Sequence, residues 1–394
     1  MIKRILILVL LIYINFSDII TFLSGSTLVK ISLALIATIL ILLYILNNLK
    51  EVDIFFITPV FFIILYLFIW PKIGYINLFY TILFGWAMSK DIKFTMMILK
   101  FIFLIQFILI VYEKVFDKYV YESVSSGIVS ENTFTISSDD KDFDLTGFRP
   151  KGLFSGTLVA TSFIIYLTML YRNNSKMLIY LFIMALIVNG RLALLISILT
   201  LFLNLIVTYE IKFDHKRVPL LLKFQILFAL FLFLVSIIML NLPQNVRLNY
   251  FNIFNIETDA NFGRLISYLQ SIDLFMNYSL SEKLFGDPSN SVLDQYGRET
   301  ASESGFLSML LDIGILGFSI YLICFITIWR KDKMKTLNNN KKLIGFKYVL
   351  LITFISFLQY EHINGNLRGS LFWFMMISFF YTLRDKNKSF RVTV

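Results

Sequence analysis

Cysteine, histidine and charge are all scarce in this 394-residue chain. A single cysteine, Cys324, sits inside an apolar stretch, which excludes a disulfide framework and a thiolate metal cluster. The two histidines, His215 and His362, are far apart, so a histidine-rich metal site is excluded as well. Charged residues make up 16% of the chain, too few for the polar surface that a soluble domain of this size needs over its core. The alternating pattern of an outer-membrane barrel is missing. So is any repeat with the period of a solenoid, and low complexity is limited to Asn338–Asn340.

What is present is apolar. The chain is 58% hydrophobic with a mean hydropathy of +0.76. Apolar runs fall at roughly 5–23, 28–47, 54–70, 73–88, 94–112, 153–171, 177–189, 192–209, 220–240, 305–329, 346–361 and 366–383, against the ~20 residues that cross a hydrocarbon core. These runs predict an all-α fold: a polytopic membrane bundle of about twelve transmembrane helices, with residues 1–394 as one integral membrane domain. Lys3 and Arg4 before the first run resemble a signal sequence. With no small-residue cleavage site after Phe16, the run reads as an uncleaved first helix. Only Pro71 and Lys72 separate the third and fourth runs, which predicts a tight helical hairpin.

The net charge of +10 is spread over the connections and forms no continuous basic face, which argues against nucleic acid as a partner. Placing both termini in the cytoplasm puts roughly twenty-two of the 36 Lys and Arg on the inner side, as the positive-inside rule requires. The inner connections are then Asn47–Asp53, Ser89–Lys93, Arg172–Lys176, Glu210–Pro219 and Arg330–Lys342, with the tail from Arg384. Two long segments, about 114–152 and 241–304, lie on the outer side, and long ordered loops tend to carry function. The first is acidic, with Asp139, Asp140, Asp142 and Asp144 at its centre; the second carries Arg247, Arg264 and Arg298. Within the second, Leu265, Leu269, Ile272 and Met276 are spaced for one apolar face, predicting an amphipathic helix over Gly263–Tyr278 near the membrane surface.

Several outer-side residues invite chemistry. Met177–Tyr209 is too short for two full crossings and is interrupted by Asn189-Gly190-Arg191, so the turn is drawn below the surface and takes Arg191 with it. Arg191 is then either a snorkelling cation at a helix start or one that receives an anion. Arg149 and Lys151 flank Pro150 at the mouth of the sixth run, as interfacial anchors or as phosphate ligands. Arg264 opens the amphipathic helix. Ser302 and Glu303 read as an N-cap and a first-turn acid, and the Glu303 carboxylate also suits a general base. His362, beside Glu361 in the last outer turn, is an alternative base. His215, in an inner basic cluster, is read as inert.

Four segments together resemble the O-antigen polymerase and ligase superfamily: FRPKGLFSGTLVATSFIIYL, NGRLALLISILTLFL, FGRLISYLQSIDLFMNYSLSEKLFGD and SESGFLSMLLDIGILGFSIYL. Their order and outward placement carry the resemblance, over roughly residues 145–330. It implies a GT-C-like, metal-independent glycosyltransferase without a cofactor. Its substrates would be polyprenyl-diphosphate-linked glycans, as donor and as acceptor, in the outer leaflet of the cytoplasmic membrane. A chain-length regulator and a flippase are the implied partners. By the resemblance, Arg149, Arg191 and Arg264 hold the donor diphosphate, Arg298 is a further candidate for it, and Glu303 or His362 accepts the proton. Ligases of the superfamily typically place a histidine before the tenth span. Here Ser302-Glu303-Ser304 stands in that place, which favours a Wzy-type polymerase making O-antigen or capsule. The ligase is the alternative within the class. A polysaccharide transporter or flippase is the rival outside it, disfavoured because the spans are clean of midplane charge. A lipid-binding or scaffolding membrane protein is a third reading.

Overall fold

The computed structural model describes residues 2–24, 27–69, 74–120, 150–154, 157–208, 259–287, 305–335 and 366–384. Every element among them is helical. The first eight apolar runs become α1 (Ile2–Ser24), α2 (Thr27–Asn47), α3 (Ile54–Ile69), α4 (Gly74–Ser89), α5 (Ile92–Phe116), α6 (Thr157–Leu170), α7 (Ser175–Val188) and α8 (Arg191–Thr208). The second long loop contributes α9 (Asp259–Asn277) and α10 (Leu280–Phe285), followed by α11 (Gly305–Lys335) and α12 (Asn366–Arg384). The expected spans at 220–240 and 346–361, and the turn at Pro71 and Lys72, lie outside the described residues. By length and composition, two of the described helices are long and apolar enough to cross a membrane, at Leu28–Asn47 and Ile92–Phe116; apolar stretches such as Ile54–Phe68 and Ser175–Val188 are shorter.

The centre of the bundle is the pairing of α4 with α12. Gly85 makes it possible: a Cβ there would lie 2.5 Å from the Trp373 side chain and 2.6 Å from the Phe374 nitrogen. Leu371–Phe380 are buried throughout, and Phe163, Tyr166, Phe79 and Trp86 complete the same core. Around this pair stand α1, α3, α6 and α11. Beyond them lie α2 against α1, and the α7–α8 hairpin against α6.

The outward faces are not polar. Ile31, Leu35, Ile39, Leu42 and Leu46 run down the exposed side of α2, and Met97, Phe101, Leu104, Ile108 and Val115 down that of α5. On α3, Ile57, Phe61, Ile64 and Phe68 do the same, with Phe68 85% exposed. Steps of three, four or seven residues keep each set on one side of its helix. Their opposite faces, such as Ala37, Ile41 and Tyr44 on α2, are apolar and buried. A helix apolar all round belongs in a large core or in lipid, not at a water-facing surface.

One end of the bundle is held by charge. The Lys90 ammonium makes an ion pair with Asp53 at 3.8 Å, donates to the Tyr381 hydroxyl at 3.0 Å and lies 4.3 Å from the centre of the Trp86 ring. Tyr381 donates to Asp53, and Tyr44 donates to Glu51. Arg4 reaches Asp91 at 3.6 Å, while Asp91 caps α5 by accepting from the Phe94 nitrogen. Arg172 lies over the Phe379 ring at 4.5 Å. The α2–α3, α4–α5 and α6–α7 connections therefore share this ion-paired end with the start of α1 and the last turns of α12. This is the grouping expected of the described even-numbered connections. The α5–α6 and α7–α8 connections lie at the opposite, loop end.

Candidate functional site

At the loop end the chain returns to the bundle along residues 150–154, and two side chains of α5 hold it there. Glu113, in the last turn of α5, is fully buried. One of its oxygens accepts from the backbone nitrogens of Lys151 and Gly152, both at 2.7 Å, and the other accepts from Val120 at 2.9 Å. Two turns earlier, Gln106 accepts from the Leu153 nitrogen at 2.9 Å. A buried carboxylate needs strong donors in place of water, and charge-assisted backbone bonds supply them. Gly152 has φ +61°, and a Cβ there would come within 2.5 Å of the Gln106 Oε1 atom, so only glycine allows the strap to lie this close. The strap fixes the entry to α6. Lys151, read from the sequence as an interfacial anchor or a phosphate ligand, is buried, with its ammonium 4.8 Å from the centre of the Tyr119 ring.

The α7–α8 turn is short and lies against α6. The 14-residue α7 climbs about 21 Å, well short of the ~30 Å of a hydrocarbon core. Asn189 adopts the left-handed conformation at φ 55°, and the Gly190 nitrogen donates back to the Ala185 carbonyl at 3.1 Å. A Cβ on Gly190 would stand 2.8 Å from the Thr161 hydroxyl, so the turn is pressed against α6. Arg191 is the first residue of α8. Its position joins a cation to a helix N-terminus, where unpaired N–H groups already favour an anion.

The second long loop docks by backbone contact. α9 begins at Asp259, one turn before the Gly263 start expected from the apolar spacing, because an acid at the first position suits the helix dipole. Arg264 therefore lies in its second turn. Leu269, Ile272 and Met276 do share one face, as their spacing predicts, and that face is exposed; Ser271, Leu274 and Tyr278 form the buried face, Leu274 and Tyr278 packing with Leu311 of α11. A capping box between Ser279 and Glu282 starts α10. The chain then meets α11 where that helix breaks. Gly314 leaves helical geometry at φ 65°, and Gly286 stands opposite at φ 80°. A Cβ on Gly314 would lie 2.5 Å from the Gly286 nitrogen, and one on Gly286 would lie 2.5 Å from the Asp312 carbonyl carbon. Carbonyls beside the break find new donors: Leu311 accepts from the Asp287 nitrogen at 2.7 Å, and Ile313 accepts from the Tyr66 hydroxyl. Tyr278 donates to the Asp287 carbonyl at 3.3 Å. Burial first, then the charges of Asp287, Asp312 and Glu282, push the Tyr278 phenol above its ordinary range, so it remains a donor at every physiological pH.

Of the residues singled out in the sequence, Arg149, Arg298, Glu303 and His362 lie outside the described residues. Arg191 and Arg264 are placed by their helices, both on loop-end elements. Among the described residues no group of three or more His, Cys, Asp or Glu is arranged to hold a metal. The sequence reading missed Glu113 and Gln106. Their signal was a pair of polar residues seven apart, hence on one helix face, near the end of an otherwise apolar run. No protein-family model matches the chain, and no curated protein matches it.

Proposed function

We propose that this is a polytopic membrane protein of about twelve spans that polymerises polyprenyl-diphosphate-linked repeat units into a surface polysaccharide. The observation that carries the reading is the combination of apolar outward stripes on α2, α3 and α5 with a 14-residue α7 that leads into the arginine-bearing turn at the loop end. The stripes are the surface that lipid covers. The ion-paired end faces the cytoplasm, and the loop end faces outward. A guanidinium below the membrane surface costs on the order of 2.5–3.5 kcal/mol, which an anionic ligand at the same depth offsets. A lipid diphosphate is such an anion: its tail holds it at the membrane and its charge sits just beneath the headgroups. The order of the four quoted segments supports the same reading.

In the proposed reaction a hydroxyl of the acceptor repeat unit attacks the anomeric carbon of the donor glycan. The bond from that carbon to the diphosphate oxygen breaks, and a glycosidic bond forms. Glu303 or His362 takes the hydroxyl proton. Arg149, Arg191, Arg264 and Arg298 stabilise the departing polyprenyl diphosphate, because pre-placed cations absorb charge as it develops. Deleting the gene and resolving the surface polysaccharide on a gel tests this. The expected result is loss of the high-molecular-weight ladder with a single repeat unit still transferred. Long chains stranded on carrier lipid would instead identify a ligase, and repeat units trapped on the inner face a transporter.

A further inference from the structure

We propose that Arg368 holds the diphosphate of the second lipid-linked substrate, the acceptor, at a site separated from Arg191 by α6; this rests on the polymerase reading above. Arg368 lies in the first turn of α12 and is half-buried. Its depth matches that of Arg191 by two independent counts. From Arg368 to Tyr381, in the ion-paired cluster, α12 spans about 20 Å. From Ser175, beside the Arg172 connection at the same end, α7 spans about 21 Å to the turn that carries Arg191. Two lipid diphosphates in one leaflet lie at one depth, and two cations at that depth suit them. An ionisable residue recessed in this way is expected to serve function. Each is also reached through a similar local sequence: Asn189-Gly190 precedes Arg191, and Asn364-Gly365 precedes Asn366-Leu367-Arg368.

The packing keeps the helices that carry the two arginines on different sides of α6. α8 and α12 both pack on α6. α8 follows the α6 face of Thr161 and Thr168, where Gly190 approaches Thr161 and Thr168 meets Ser197 at 3.3 Å. α12 follows the face of Tyr166, whose ring lies 6.2 Å from that of Phe372, one helical turn after Arg368. Thr161 and Tyr166 point about 140° apart around α6, at 100° per residue. With helix packing distances near 9 Å, the axes of α8 and α12 stand about 17 Å apart with α6 between them. That spacing keeps two diphosphates apart, one at the start of each helix. A polymerase needs both sites, whereas a ligase with a non-diphosphate acceptor needs one.

The test is steady-state kinetics of the full chain in liposomes, with donor and acceptor lipids labelled differently. R368Q is expected to raise the KM for the acceptor about tenfold and leave the donor KM unchanged, the loss of a charge-assisted bond falling on one substrate. R368K, which keeps the charge without the bidentate fork, is expected to raise the same KM by a smaller factor. It carries the test if R368Q does not reach the membrane. Y166F is expected to leave both KM values unchanged; if it reproduced R368Q, Arg368 would be a structural partner of Tyr166 and the inference would fall. R368Q with wild-type kinetics, or with both KM values raised equally, would also overturn it while leaving the polymerase reading intact. Wild-type protein that makes no polymer from these lipids would remove the polymerase reading itself.

Discussion

The two ends of this bundle are tied by different chemistry. At the ion-paired end, side chain meets side chain: Lys90 with Asp53 and Tyr381, Arg4 with Asp91, Arg172 on Phe379. At the loop end, backbone does most of the work. Glu113 and Gln106 accept from four backbone nitrogens, and Gly286 and Gly314 bring two stretches of main chain together. Side-chain pairs tolerate adjustment, because long cations can shift and still find partners. Backbone latches allow less adjustment, because the main chain cannot re-aim as a long side chain can. The difference teaches where precision is invested: cations at one end are satisfied by neighbouring carboxylates, while at the other the carboxylate Glu113 is committed to the main chain.

The comparison can be broken at its tightest point first. Gly314→Ala places a Cβ against the Gly286 nitrogen and strains a left-handed backbone position. A loss on the order of 3 kcal/mol or more is expected, from strain and overpacking together, read by thermal unfolding in detergent. An unchanged melting temperature would mean that the two glycines do not lock the loop. Glu113→Gln is next: an amide replaces one acceptor oxygen with a donor facing backbone N–H groups. About 2 kcal/mol is expected to go, with hydrogen exchange at the Lys151 and Gly152 amides at least about tenfold faster. Lys90→Met, at the other end, removes one ion pair and two ring contacts and is expected to cost about 1–2 kcal/mol. Polymer length should be unaffected by it, whereas Glu113→Gln should shorten or abolish the ladder. If the Lys90 variant damaged polymerisation as much as the Glu113 variant, the division between the two ends would be wrong.

Much of the fold is legible in the sequence because an apolar run announces itself locally. The apolar runs among the described residues return as helices α1 to α8, α11 and α12, with ends displaced by a few residues, and the described connections expected on the inner side fall together at one end. Contacts between distant segments are less legible. Nothing local tells that Glu113 will meet Lys151, or that Gly286 will meet Gly314, because each pairing depends on how helices pack. Helical spacing correctly grouped Leu269, Ile272 and Met276, yet spacing cannot say whether an apolar stripe faces protein or lipid. Lys151 illustrates the same limit: as a sequence it is a cation at a membrane mouth, and in the fold it lies on Tyr119. Arg191 is the opposite case. The shortness of the run before it was legible in the sequence, and α7 is 14 residues long.

The most direct test of the central claim is complementation of the deletion strain with Arg191→Ala at normal membrane abundance. The account expects no polysaccharide ladder, with single repeat units still reaching the surface. A ladder of wild-type length and intensity would contradict it, because a recessed cation that can be lost without consequence is not holding the leaving diphosphate.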